Sequence, residues 1–122
     1  MRDLLAIMKA LADENRLRTL AALEDRELCL CQIVELLGLA TSTVSRHASI
    51  LQQARLVESR KQGRWTYFRL AETPPSAALE AISLVVSALK RDPQAREDRK
   101  HLKRILRMNP EELCRKQSEC KC

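Results

Sequence analysis

Cysteine is the residue type with the most chemical potential in this sequence of 122 residues, which contains five of them. Cys29 and Cys31 form a Cys-x-Cys pair, Cys114 stands alone, and Cys120 and Cys122 form a second Cys-x-Cys pair. Thiolates bind soft metal and metalloid ions. The sequence has no secretory signal and no long apolar segment, so we expect a cytoplasmic protein without a membrane partner. A disulfide framework is then not expected, and metal binding, redox sensing and plain burial remain as interpretations of the cysteines.

The first Cys-x-Cys pair lies where a predicted helix begins. A helix N-terminus lowers the pKa of a nearby thiol, so Cys29 and Cys31 are expected to form thiolates readily. On an ideal helix, side chains two residues apart point about 200 degrees from each other. Both sulfurs can therefore bind one ion only if the start of the helix is extended or distorted. The sequence predicts that ion binding deforms this helix and tilts the helix that follows it.

The charge of the chain points to a second kind of chemistry. The formal net charge is +6 and the calculated pI is about 9.4, which favours a polyanionic partner such as nucleic acid. Basic residues concentrate in residues 57–70 and again in residues 90–107. The second run is interpreted as the solvated face of a helix.

Helical periodicity accounts for most of the chain, and the scarcity of glycine and proline favours helices joined by short turns. The first helix is predicted to end near Asp13, which caps a second helix reaching about Leu23 with Arg16 and Arg18 exposed. The third begins at Cys29 or Cys31 and runs to Leu37, with Gly38 as its left-handed stop.

A fourth helix, a hairpin and two further helices are predicted after Gly38. Hydroxyls of residues 41–43 are suited to capping the fourth helix. The segments 56–60 and 65–70 alternate β-formers with charges around Gln62-Gly63, which predicts a hairpin, while Trp65, Tyr67 and Phe68 are expected to pack mostly in the core. Ser76 caps a fifth, broadly apolar helix, and a charged sixth helix ends before Asn109-Pro110. Residues 1–109 are thus predicted to form one domain, followed by a Cys-containing tail over residues 110–122.

Two helices joined by a Gly-containing turn and followed by a basic hairpin match the layout of a winged helix-turn-helix, a mostly α fold with a β-hairpin wing. The second helix of such a unit enters the major groove with its N-terminal part. The predicted DNA contacts from this helix are Thr41, Ser42, Thr43, Ser45, Arg46 and His47, and those from the wing are Arg60, Lys61 and Arg64.

Three segments resemble the ArsR/SmtB family of metal-responsive repressors, and its arsenic-sensing branch in particular. They are Lys9 to Arg18, Glu27 to Cys31 followed by Ser42 to His47, and Arg60 to Trp65 followed by Tyr67 to Leu70. The likeness spans about residues 3–90. It implies a homodimer joined by the first and fifth helices, which binds double-stranded operator DNA and is released when As(III) or Sb(III) binds cysteine thiolates. No permanent cofactor and no enzymatic activity are implied.

The chain departs from this family pattern at one ligand position. Arsenic sensors of this type often have a third cysteine three positions after the second, where this chain has Val34. Trivalent arsenic is satisfied by three thiolates, so a tail cysteine, from the same or the partner subunit, is predicted to supply the third, with Cys120 or Cys122 slightly favoured over Cys114. The alternative is a two-coordinate site at Cys29 and Cys31 without a tail ligand. Zinc sensors of the family place His and acidic ligands on the dimer helix. Between Ser76 and Arg91 the only such residue is Glu80, which argues against zinc.

Three alternative functions compete with this one at the level of sequence. The same cysteines could sense cadmium, lead or oxidants, because thiolates react with all of them. A small thiol oxidoreductase is disfavoured, since no Cys-x-x-Cys or glycine-rich anion loop is present. A metal chaperone would not need a recognition helix and a basic wing.

Overall fold

A computed structural model describes residues 1–117 as seven helices around one core, with a small sheet at one side. The helices that precede the sheet are α1 (Arg2–Leu11), α2 (Glu14–Ala22), α3 (Leu30–Leu37) and α4 (Thr41–Gln53). Those that follow it are α5 (Ser76–Ala88), α6 (Pro93–Ile105) and α7 (Pro110–Lys116). No helix within residues 1–117 is long and apolar enough to cross a bilayer.

The sheet has three antiparallel strands in the order β1-β3-β2, with β1 at Leu28–Cys29, β2 at Val57–Gln62 and β3 at Trp65–Leu70. The predicted hairpin is present, but β2 reaches Gln62, which pairs with Trp65. The tight turn is therefore Gly63-Arg64, and only Gly63 has a left-handed backbone, with φ of 62°. The sequence did not predict β1, which pairs Leu28 with Phe68 and Cys29 with Tyr67.

The helix ends follow sequence chemistry in some places and not in others. The Asp13 side chain accepts from the backbone N–H groups of Asn15 and Arg16 at 2.8 and 3.2 Å, so the predicted cap of α2 is confirmed. Gly38 ends α3 with φ of 66°, also as predicted. The predicted caps of α4 and α5 are wrong. The helices begin at Thr41 and Ser76, so the hydroxyl side chains expected to cap them lie inside the helices. Ala40 and Pro75 occupy the two N-cap positions, and neither has a capping side chain.

Two arginines of α2 were predicted to be exposed, and this prediction is wrong. The side chains of Arg16 and Arg18 retain only 13% and 18% of their accessible surface. Arg18 Nε and Nη2 each donate to an Asp98 carboxylate oxygen at 2.9 Å, which joins α2 to α6. One acidic side chain of the charged sixth helix is therefore buried in an ion pair.

The core gathers apolar side chains from all seven helices and the sheet, and it includes Phe68 with Trp65 and Tyr67 packed at its edge. Phe68 is therefore a core residue as expected, whereas Trp65 and Tyr67 are only partly buried against the core. Where the sequence predicts a tail from residue 110, the structure has helix α7. Its Asn109 cap accepts from Glu111 N–H at 2.9 Å, and Leu113 is 1% exposed. Helix α7 packs on α3 and carries Cys114 to the first Cys-x-Cys pair.

Candidate DNA-binding surface and thiol site

One face of α4 is turned to solvent and carries the residues that the sequence assigns to DNA. Val44, Ala48 and Leu51 face the core. The exposed residues of the predicted set are Ser42, Thr43, Ser45 and Arg46, whereas Thr41 and His47 are half-buried. Since α4 starts at Thr41, the hydroxyls occupy its first turn, where they remain available for contacts outside the protein.

His47 is held in place by Arg16. Arg16 Nη1 lies 3.0 Å from His47 Nδ1, while its Nε and Nη2 donate to the carbonyls of Ala10 and Lys9 at 2.8 and 3.0 Å. An arginine can only donate, so His47 Nδ1 accepts and Nε2 carries the ring proton. Arg16 therefore fixes the position of α4 relative to α1 and leaves His47 with one donor for an external acceptor.

The three basic residues of the wing differ in their surroundings. Lys61 is exposed, and the Arg64 side chain is 72% exposed at the tip, where it lies over the Trp65 ring and 4.0 Å from Glu111 of α7. Arg60 instead donates to both carboxylate oxygens of Glu27, at 2.9 and 2.6 Å.

The same Arg60 also covers the Tyr67 ring, with its guanidinium carbon 4.5 Å from the ring centroid. Its hydrogen bonds lower the pKa of Glu27 and, in return, the pKa of Arg60 is raised. Sequence reasoning gave Arg60 the same role as its neighbours and missed Glu27. Arg60 therefore joins strand β2 of the wing to Glu27, the residue that precedes β1.

Cys29 lies at the junction between β1 and α3. It has an extended backbone with φ of −79° and ψ of 160°, and it serves as the N-cap of α3. Its N–H donates to Gln32 Oε1 at 2.9 Å, and the Gln32 N–H faces its sulfur in a reciprocal capping arrangement. Cys29 thus lies at the end of β1, and Cys31 lies in the first turn of α3. The extended backbone at Cys29 that the sequence required for joint ion binding is already present in the fold.

Burial raises the pKa of the Cys29 thiol, although backbone N–H groups of Gln32 and Cys31 act against this shift. The expectation that the helix start would give a thiolate at Cys29 is therefore wrong. Cys29 is 0% exposed, and the cost of placing a charge in this apolar surrounding exceeds the benefit of the helix N-terminus.

Cys31 and Cys114 meet between α3 and α7. Their sulfurs are joined, and their Cα atoms are 6.0 Å apart. Around them, Gln117 Nε2 donates to the Cys31 carbonyl at 3.0 Å, and Lys116 Nζ lies 3.7 Å from Glu35 Oε1. The structure therefore brings Cys114 to Cys31, although the sequence slightly favoured Cys120 or Cys122.

Cys120 and Cys122 lie outside the described residues. Within residues 1–117, no three His, Cys, Asp or Glu side chains already stand close enough together to hold a metal ion. An ion bound by Cys29 together with Cys31 and Cys114 would therefore require movement at the β1–α3 junction.

A helix pair joined by a Gly turn, an exposed recognition face on the second helix and a basic antiparallel hairpin define a winged helix-turn-helix DNA-binding protein. Residues 13–59 match the family model described as bacterial regulatory protein, arsR family. The chain is 35% identical to the arsenic resistance transcriptional regulator ArsR1 of Pseudomonas putida over 92 residues, covering 72% of each protein. It therefore belongs to the ArsR family of transcriptional regulators.

Two further similarities agree with this assignment. Over 77 residues the chain is 36% identical to the arsenical resistance operon repressor of Escherichia coli. The aligned segment covers 62% of this chain and 66% of that protein. A homodimeric winged helix-turn-helix domain from Mycobacterium bovis superposes with a TM-score of 0.61 at 27% identity, covering 73% of this chain and 80% of that one.

Proposed function

We propose that this chain is a dimeric repressor that binds operator DNA through α4 and the wing and is released when As(III) or Sb(III) binds three thiols. We assign the thiol ligands to Cys29, Cys31 and a cysteine of the C-terminal segment, and we now favour Cys114 over Cys120 and Cys122. The observation that carries this proposal is the proximity of Cys31 and Cys114, whose Cα atoms are 6.0 Å apart, beside the N-cap Cys29. As a DNA-binding regulator it would act in the cytoplasm and need no permanent cofactor.

The DNA contacts are proposed to come from the exposed face of α4 and from the tip of the wing. The exposed short side chains at Ser42, Thr43 and Ser45 let the helix approach the base edges, and Arg46 reaches a guanine edge or a phosphate. Lys61 and Arg64 supply phosphate contacts with little sequence information. Arg60 contributes by holding the wing in place through Glu27.

Dimerisation is proposed through α1 and α5, which pack side by side. Both present large apolar side chains to solvent, at 48–55% exposure for Leu4, Leu5 and Met8 and at 52% and 64% for Leu79 and Leu84. Exposed large apolar side chains on two adjacent helices are typical of an interaction surface. The homodimeric structural relative supports a second copy of this chain as the partner.

The raised pKa of Cys29 favours a metalloid hydroxide over a divalent cation. Arsenous acid brings a hydroxide for every thiol proton, because As(OH)₃ and three thiols give As(SR)₃ and three water molecules. A divalent cation such as cadmium must instead expel each proton into solvent. The neutral product also avoids placing a charge in the apolar surroundings of Cys29, since burial of an uncompensated charge is costly.

Release from DNA is proposed to follow from movement of the β1–α3 junction. Because Cys29 pairs with Tyr67 of β3, drawing its sulfur toward Cys31 and Cys114 displaces one strand of the wing sheet. The same movement disturbs the capping contact with Gln32 at the start of α3, on which α4 packs. Both DNA-contacting elements are thereby shifted together.

The test measures release of a DNA duplex, selected from a random pool by the reduced protein, in response to arsenite, antimonite, cadmium and lead. We expect release by arsenite and antimonite for wild type and for a double Cys120→Ser, Cys122→Ser variant. Single Cys29→Ser, Cys31→Ser and Cys114→Ser variants should bind the duplex but require at least about tenfold more metalloid for release.

The pH of this assay separates the metalloid proposal from the cadmium and lead alternative. Arsenite-driven release should change little between pH 6.5 and 8, whereas release by a divalent cation should weaken steeply as the pH falls. A chain released by cadmium but not by arsenite, or a Cys114→Ser variant with unchanged metalloid response, would contradict the proposal.

A further inference from the structure

The Cys31–Cys114 pair has the geometry of a site for covalent modification. The two residues are 83 positions apart in sequence, and their Cα separation of 6.0 Å falls in the range that a disulfide spans. Within residues 1–117, Cys29 is the one cysteine outside this pair. The three cysteines near the start of α3 are therefore not equivalent.

We propose that Cys31 and Cys114 form a reversible redox latch, a disulfide made by hydrogen peroxide or an organic peroxide that closes the metalloid site without releasing DNA. The consequence for the metalloid rests on the proposed function, because oxidation removes two of its three thiol ligands. The formation of the Cys31–Cys114 disulfide itself does not depend on that function.

The accessibility of the two sulfurs sets the order of the reaction. Cys114 is half-buried, while Cys31 and Cys29 are 0% exposed. Peroxide meets the Cys114 thiolate first: the sulfur bonds to one peroxide oxygen, the O–O bond breaks, and Cys114 sulfenic acid and hydroxide form. The Cys31 sulfur then attacks the Cys114 sulfur and loses its proton, the S–O bond breaks, and the departing hydroxide takes up this proton as water. With the two thiol protons, the balance is two thiols and one peroxide giving one disulfide and two waters.

Contacts other than the sulfur–sulfur bond also hold α7 against α3. Leu113 is buried in the core, Gln117 donates to the Cys31 carbonyl, and Lys116 lies beside Glu35. These contacts keep Cys114 at a high effective concentration next to Cys31, so the second step should outcompete further oxidation of Cys114.

The DNA-binding surface is intact while the latch is closed. With the two sulfurs joined, α4 still presents Ser42, Thr43, Ser45 and Arg46 to solvent, and the wing tip remains exposed. The oxidised repressor is therefore expected to stay on DNA and to ignore the metalloid.

The experiment treats the full chain, carrying Cys120→Ser and Cys122→Ser, with a small excess of hydrogen peroxide and maps its disulfides by mass spectrometry. We expect one bond between Cys31 and Cys114, reversed by dithiothreitol, and no such bond in the Cys31→Ser variant. The Cys29→Ser variant is the matched control and should still form it. Arsenic retained after desalting should fall at least about tenfold on oxidation, while duplex affinity changes less than about twofold.

The outcomes separate the latch from the proposed function. A bond to Cys29, a stable sulfenic acid at Cys114, or no oxidation overturns the latch. Release of the duplex by peroxide alone also overturns it, because the pair would then be an oxidant sensor. If the reduced chain retains no arsenic while the Cys31–Cys114 bond still forms, the metalloid function and the closing of its site are wrong, but the disulfide stands.

Discussion

The Asp13 carboxylate connects a single side chain to the pH dependence of folding. Burial opposes its ionisation, but the N–H groups of Arg16 and Asn15 and the nearby charges outweigh burial and lower its pKa below the ordinary 3.8. A lowered pKa means stability that is present above pH 3.8 and is lost as the pH falls through the pKa of the folded state. We expect Asp13→Ala to reduce the free energy of unfolding at pH 7 by about 1 kcal/mol.

The control for this effect is Asp13→Asn, which retains a capping oxygen without the charge. Urea unfolding of the wild type and this variant between pH 2.5 and 7 gives the difference in unfolding free energy. That difference should be constant above about pH 5 and shrink toward pH 2.5. A difference that does not depend on pH would show that the Asp13 charge contributes nothing.

Arg60 and Lys61 are neighbours in the wing with different expected effects on DNA binding. Lys61→Ala should weaken duplex binding for all sequences and reduce the slope of log affinity against log salt by about 1, because one phosphate contact is lost. Arg60→Ala removes the contacts with Glu27 and Tyr67. It should lower the thermal unfolding midpoint while the salt slope changes less than in Lys61→Ala. Equal slopes for the two variants would contradict these separate roles.

At the scale of elements, α7 shows what periodicity can predict and what it cannot. The helices α1 to α6 carry repeated apolar positions, and the sequence located each of them to within a few residues. Helix α7 has seven residues and docks with one buried leucine, Leu113, so no periodic signal marks it. The strand β1 has two residues, too few to show alternation. Both missed elements position the cysteines, which is why the sequence identified Cys29 and Cys31 but not the place of Cys114.

Docking of α7 can be tested by a substitution that leaves all cysteines in place. Leu113→Ala removes the side chain that anchors α7 in the core and should lower the unfolding free energy by about 2 to 3 kcal/mol. It should also weaken metalloid-driven release of the duplex, because Cys114 is then held less firmly beside Cys31. The exposed Arg115→Ala change on the same helix is the control and should alter neither quantity. Unchanged release by Leu113→Ala would mean that α7 does not position a ligand.

For the whole molecule, the proposed dimer predicts that the exposed apolar side chains of α1 and α5 are buried against a second copy of the chain. Leu84 is 64% exposed on α5, so a charge there remains solvated in the monomer but would be buried at the proposed dimer interface. Leu84→Glu should therefore sediment as a folded monomer at micromolar concentration. Its affinity for a palindromic duplex should fall at least about a hundredfold, because each copy then binds one half-site alone.

Leu106, which is 47% exposed at the end of α6, provides the matched control for this substitution. Leu106→Glu adds the same charge at a similarly exposed leucine outside the α1–α5 surface, so the dimer and its duplex affinity should be retained. Circular dichroism of both variants separates loss of assembly from loss of folding. A dimeric Leu84→Glu variant would contradict the α1–α5 interface, and a monomeric Leu106→Glu variant would move the interface to α6.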